Sequence, residues 1–153
     1  MKAVIQRVSS AAVTVEGEVI GQIENGFTVL LGVYENDTVE KAELLAKKTA
    51  ALRIFCDSDD KMNLSLLDVG GEALVVSNFT LCANTKKGNR PSFIEAMEPI
   101  KANELYEHYC KTLKNEGVKK VATGRFRADM QVSLTNDGPI TIVLDTDIWG
   151  KKE

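Results

Sequence analysis

With 153 residues, 44% of them hydrophobic and 27% charged, the chain can bury one good core and falls outside the disordered and fibrous classes. Its formal charge of -3 argues against a protein that coats nucleic acid by neutralising many phosphates, though not against one that touches only a terminus. No apolar run is long enough to span a membrane and a strand-like segment starts at Lys2, so the expectation is a single cytoplasmic domain over residues 1–153.

Residues 2 to 8 and 13 to 15 have strand character, and Glu16-Gly17 turns the chain into a partner strand at Glu18 to Ile23. Asn25-Gly26 supplies a second tight turn before Phe27 to Val33, whose nearly unbroken apolar run suits a central strand buried on both faces. Asp37, with Glu40 three residues on, has the form of a helix N-cap and capping box. Val39, Ala42, Leu45, Ala46, Thr49 and Leu52 recur at helical spacing, which predicts an amphipathic helix over 38–52 with Lys41, Lys47 and Lys48 on its solvated side.

Arg53 to Cys56 is a short strand candidate followed by the polar turn Asp57-Ser58-Asp59-Asp60, which lacks the spaced ligands of a calcium loop. Gly70-Gly71 precedes a buried strand over Ala73 to Phe79 that ends in the polar residues Ser77, Asn78 and Thr80. Lys86 to Phe93 is a basic loop punctuated by glycine and proline. Pro99 opens a second helix in which Ala102, Leu105, Tyr106, Tyr109 and Leu113 share a face and Gly117 marks the stop; His108 lies off that face, a surface residue without an evident partner. Lys119 to Thr123 begins another strand, and residues 119–127 hold four basic side chains and no acidic one. Met130 to Leu144 is a pair of alternating β-branched runs around Asn136-Asp137-Gly138-Pro139, a composition that asks for a hairpin-like reversal.

Strands predominate and two main helices interrupt them irregularly, so the fold class is mixed α/β and β-rich rather than doubly wound. The usual catalytic sets are missing: no Gly-x-Ser-x-Gly elbow, no His-Glu-x-x-His, and one histidine in the whole chain. Cys56, Cys82 and Cys110 are odd in number and lack zinc spacing, so they read as reduced, structural thiols. Two readings stay open on residues alone, a noncatalytic RNA-binding module using the basic segments 86–90 and 119–127, and a cysteine-dependent hydrolase.

Several motifs in order carry a resemblance: Ser77-Asn78-Phe79-Thr80-Leu81, Lys87-Gly88-Asn89-Arg90-Pro91-Ser92-Phe93, Thr123-Gly124-Arg125-Phe126, and Ala128-Asp129-Met130-Gln131-Val132-Ser133-Leu134 through Asn136-Asp137-Gly138-Pro139. Together with Arg7-Val8 and Val13-Val15 they resemble the D-aminoacyl-tRNA deacylases, also called D-tyrosyl-tRNA deacylases, over essentially the whole chain. The family has glutamine where this sequence has Asn78, one methylene shorter.

The resemblance implies a cytoplasmic homodimer with barrel-like sheets that acts on the acceptor end of aminoacyl-tRNA without metal or cofactor. It implies a cis peptide at Gly138-Pro139 that enters the neighbour's site, where the two carbonyls accept from the substrate ammonium and exclude L-aminoacyl esters by steric conflict. Main-chain amides around Phe79 and Thr80 then serve the oxyanion, Ser77 and Thr80 line and orient the pocket, Asn78 supports it, and Arg7 braces the inserted loop. A broad D side-chain preference and tolerance of glycyl-tRNA follow from the same geometry.

Overall fold

The computed structural model describes residues 1–149. Its organising element is β1 (Lys2–Val15), a single strand where two had been expected. Along one edge β1 pairs antiparallel first with β3 (Gly26–Gly32) and then with β2 (Glu18–Ile23), and along the other edge with β8 (Gln131–Asp145). From β3 the sheet continues in parallel through β6 (Glu72–Ser77) to β7 (Val121–Thr123), and the whole curls into a nearly closed barrel. A separate hairpin is formed by β4 (Arg53–Cys56) and β5 (Met62–Ser65).

Two cores lie on opposite faces of this sheet. Ala3 and Ile5 of β1, Phe27, Val29 and Leu31 of β3, and Ala73 and Val75 of β6 face the outer core. Leu74 and Val76, the alternate residues of β6, face the barrel interior with Val8, Ala11, Val13 and Val15. In β1 the inward parity shifts between Val8 and Ala11, where β1 advances two residues, Val8 to Ser10, against one in β8, Asn136 to Thr135. Even-numbered Val8 and odd-numbered Ala11, Val13 and Val15 therefore share the inner core, because this one irregularity turns the pleat over.

The outer core is covered by α1 (Val39–Ala51) and α3 (Pro99–Asn115), which pack on each other. The expected stripe on α3 is buried throughout, Ala102, Leu105, Tyr106, Tyr109 and Leu113, and on α1 it is buried at Ala42, Leu45, Ala46 and Thr49, whereas Val39 in the first turn is exposed and Leu52 is the partly buried C-cap. The Tyr109 hydroxyl donates to Thr49 Oγ1 at 2.8 Å, joining the helices inside the core. A further one-turn helix, α2 (Leu66–Val69), closed by a Ser65–Asp68 capping box, was not anticipated. Among the described residues no helix is long and apolar enough to cross a membrane.

Three expectations are corrected. The α1 cap is Thr38, whose hydroxyl accepts from Lys41 N, while Asp37 points into the protein. There one carboxylate oxygen of Asp37 accepts from the Met1 ammonium at 2.7 Å and the other from Tyr34 N at 2.7 Å. A buried cation has a stronger claim on a carboxylate than a solvated helix end does. His108 has a partner, since its Nε2 lies 2.8 Å from Glu43 Oε1 across the α1–α3 seam.

Nor does the segment Met130 to Leu144 reverse. It runs on as β8, and Asp137 to Ile140 are extruded as a bulge between the pairs Val8↔Asn136 and Gln6↔Thr141. The Asn136 side chain closes the base of the bulge, accepting from Ile140 N at 3.0 Å and donating to Thr141 Oγ1 at 3.3 Å. Asn, Asp, Gly and Pro suit an extruded bulge for the same reasons that suit a turn, and β1 is long enough to pair with both halves.

The Met1–Asp37 pair has side-chain exposures of 0% and 2%, so removing the carboxylate strands a charge in the core. Asp37→Ala is expected to lose about 3 kcal/mol or more of stability, read as a lower urea midpoint at unchanged m-value.

Candidate active site

At the end of β6 the apolar run stops, and Ser77, Asn78 and Phe79 reach the floor of a cleft of about 750 Å³. Its walls are mainly apolar and come from the start of α3, the loop holding Phe93, and the turn that leads into β8, including Phe126, Arg127 and Met130. Asn78 N donates to Leu31 O at 2.8 Å, which extends the sheet by one bond before the chain tightens into a 3-10 turn, Phe79–Cys82. Gly32 makes room for that turn, since a Cβ there would lie 2.8 Å from Leu81 Cβ.

Asn78 caps the turn. Its Oδ1 accepts from Thr80 N at 3.3 Å and from the Thr80 hydroxyl in a closer contact. Thr80 is exposed, turned back onto Asn78, and does not line the cleft. The Phe79 N–H, first in the turn, has no protein acceptor among the described residues, as expected at a helical N-terminus. The Phe79 ring is 59% exposed and meets Phe93 edge to face, with centroids 5.2 Å apart. An aromatic surface and an open main-chain donor thus share the cleft mouth.

The acids, bases and thiols of the chain lie elsewhere or are already engaged. Glu98 is on the cleft wall, but its carboxylate accepts from Ile100 N at 3.1 Å and Lys101 N at 2.8 Å as the α3 cap. Cys82 is buried beneath the turn, where burial and then the nearby Asp37 charge push its thiol up to about 11. Burial likewise pushes Cys110 up to about 12. Neither supplies a thiolate near neutral pH, which weighs against a cysteine-dependent hydrolase. Among the described residues no group of three His, Cys, Asp or Glu side chains is placed to hold a metal ion.

The structure does not bring the remaining site residues to this cleft within one chain. Gly138 and Pro139 sit in the β8 bulge, where the peptide between them is cis and Gly138 has φ +137°. A Cβ at Gly138 would lie 2.9 Å from Ile140 N, so the position calls for glycine on both counts. Arg7 ties the bulge down, donating from Nε to Asp137 O at 3.1 Å and from Nη1 to Ile54 O at 2.7 Å. It also stands 3.6 Å from the Asp137 carboxylate. Sequence reasoning missed Arg127 as a wall residue; its left-handed φ of +67° leaves no mark in residue type.

Comparison with known proteins matches the model of one family, D-Tyr-tRNA(Tyr) deacylase, to residues 4–145. The chain belongs to that family. A D-aminoacyl-tRNA deacylase of Lactobacillus gasseri is 57% identical over 95% of this chain and 99% of its own length. That of Chloroflexus aurantiacus is 58% identical over 95% of this chain and 91% of its own. Among solved structures, a c-Myc DNA unwinding element binding protein superposes with a TM-score of 0.90 at 41% identity, covering 95% of this chain and 98% of that one. A probable eukaryotic D-amino acid tRNA deacylase shares the fold, with a TM-score of 0.80 at 15% identity over 94% of this chain and 97% of its own.

The raised thiols give a direct test. At pH 8, iodoacetamide should label exposed Cys56 in the native protein and leave Cys82 and Cys110 unmodified by mass spectrometry. Because unfolded thiols ionise from about 9.0, below their folded values, stability should be unaffected by these groups below pH 9 and fall as the pH climbs toward 11.

Proposed function

We propose that the chain hydrolyses the ester bond of D-aminoacyl-tRNA, releasing tRNA and the D-amino acid while sparing L-aminoacyl-tRNA. The observation that carries this reading is the cleft floor: an unpartnered Phe79 N–H beneath an aromatic surface, in a family of deacylases, with no histidine, cysteine or lysine among the described lining residues. Such a site acts through main-chain donors rather than a nucleophilic side chain. The ester carbonyl oxygen is held at Phe79 N–H, where charge develops as water adds to the carbonyl carbon. The ester C–O bond then breaks, and the proton of the water passes to the departing ribose oxygen, assisted by the 2′-hydroxyl of the terminal adenosine. Ser77 lines the floor, and Asn78 and Thr80 hold the turn in shape.

Selection by handedness needs a second copy. Among the described residues the outer edge of β8 has no strand partner, and the strand carries exposed Val132 and Val143, an edge suited to association. The bulge bearing Gly138 and Pro139 interrupts this strand, away from the chain's own cleft. In a homodimer it enters the partner's cleft, where the two carbonyls accept hydrogen bonds from the substrate ammonium. With ammonium and ester both pinned, a D side chain points out of the cleft and an L side chain strikes its wall. Glycine, having no side chain, escapes the filter, so glycyl-tRNA is cleaved as well. The protein works in the cytoplasm, where its substrate is made.

A second reading, a noncatalytic nucleic-acid binder, draws on the likeness to the c-Myc DNA unwinding element binding protein and on the exposed cations after α3. Time courses with D-Tyr-tRNA and L-Tyr-tRNA separate the two. Loss of the D ester alone is expected; equal loss of both, or tight binding with loss of neither, overturns the deacylase reading. Arg7→Ala, which frees the bulge, should lower stability by about 2 kcal/mol in urea unfolding and slow D-Tyr-tRNA cleavage at least roughly tenfold.

A further inference from the structure

We propose that the basic groove between α3 and β7 carries the phosphates of the tRNA acceptor strand as it leaves the cleft, an inference that rests on the deacylase reading above. The groove, of about 550 Å³, has Lys111 and Lys114 of α3 on one wall and Arg125 on the other. Phe126 lines both this groove and the cleft, so a single side chain forms the ridge between them. The ridge is a tight turn closed by Ala128 N donating to Arg125 O at 3.1 Å. Within it Arg127 holds φ +67°, a left-handed conformation that is unfavourable for a non-glycine residue. In this turn Arg125 lines the groove and Arg127 the cleft, so cations flank the ridge on both sides.

These charges are unspent. Among the described residues none of Lys111, Lys114, Arg125 and Arg127 is in a salt bridge. Among the described residues Glu107 is the one carboxylate on the groove wall, and it accepts from Asn103 Nδ2 at 3.3 Å. Exposed Lys119 and Lys120 precede β7 and extend the basic surface. A solvated helix end accounts for Lys114 near the α3 C-terminus, but not for cations converging from a helix and a turn on one groove, nor for an arginine in the left-handed region. A polyanionic strand whose terminal ester lies over Phe79 and which crosses Phe126 meets Arg127 first, then Arg125 and the two lysines.

The test compares the K111Q/K114Q/R125Q protein with wild type and with K47Q/K48Q/K61Q, which removes three cations elsewhere. With D-Tyr-tRNA near 0.15 M salt, the groove variant should raise KM roughly tenfold or more at nearly unchanged kcat, with a log KM against log salt slope shallower by about 2. Hydrolysis of a D-tyrosyl ester of the short trinucleotide CCA, which does not reach the groove, should be unchanged. Arg127→Gly should weaken tRNA binding without lowering the thermal midpoint, because glycine relieves the φ. A groove variant with wild-type KM and salt slope overturns the proposal. Fluorescence anisotropy with uncharged tRNA reads the groove independently of cleavage. If wild type binds with the steeper salt slope yet cleaves nothing, the groove stands and the deacylase reading fails.

Discussion

The antiparallel pairing of β1 with β8 is the constraint on which the rest depends. It fixes the two ends of the described chain side by side, Lys2 against Asp145. It also forces a choice at the middle of β1, where the pleat must turn over for one strand to feed two cores. In the adjoining interval, between Gln6 and Val8, β8 has more residues than the ladder can use, and it expels Asp137 to Ile140. Arg7, which has no β8 partner in the ladder and lies between the two pairs that flank the bulge, is the residue that holds it.

The cleft arises from the same sheet at the other end of its pairing. β6 is buried on both faces until Ser77, after which the chain curls into a 3-10 turn over Gly32. A parallel strand that ends in a tight turn leaves its first N–H pointing into open space, and apolar walls around that donor lower the local dielectric. Donor groups fixed by secondary structure need no reorganisation when charge appears on a substrate oxygen. An open N–H and apolar walls correspond to no side-chain motif, so this cleft leaves no catalytic signature in the sequence.

Asn78 is a polar residue of the cleft floor spent on its own turn, where its Oδ1 takes Thr80 N and the Thr80 hydroxyl. Thr80 is thereby committed to structure, and of the two amides only that of Phe79 stays open. Glu98 and Asp37 make the same point for acids. Each could pass for a functional carboxylate, yet one is consumed capping a helix and the other neutralising a buried ammonium.

Elements governed by local chemistry were legible in the sequence. Spacing of apolar residues placed α1 and α3 and their buried faces, Pro99 marked the start of α3, and continuous apolar runs marked β3 and β6. Matched motifs in order pointed to the family. What local signals could not supply was which partner each polar group would meet: Asp37 chose an ammonium 36 residues away over the adjacent helix, and His108 found Glu43 on another helix. Likewise the residues 136–139 specify only that the backbone must depart from extended geometry, and a turn and a bulge ask for the same residue types. Whether the chain reversed or ran on was decided by β1, because only a neighbour long enough to pair with both halves makes the straight course the one that satisfies their hydrogen bonds.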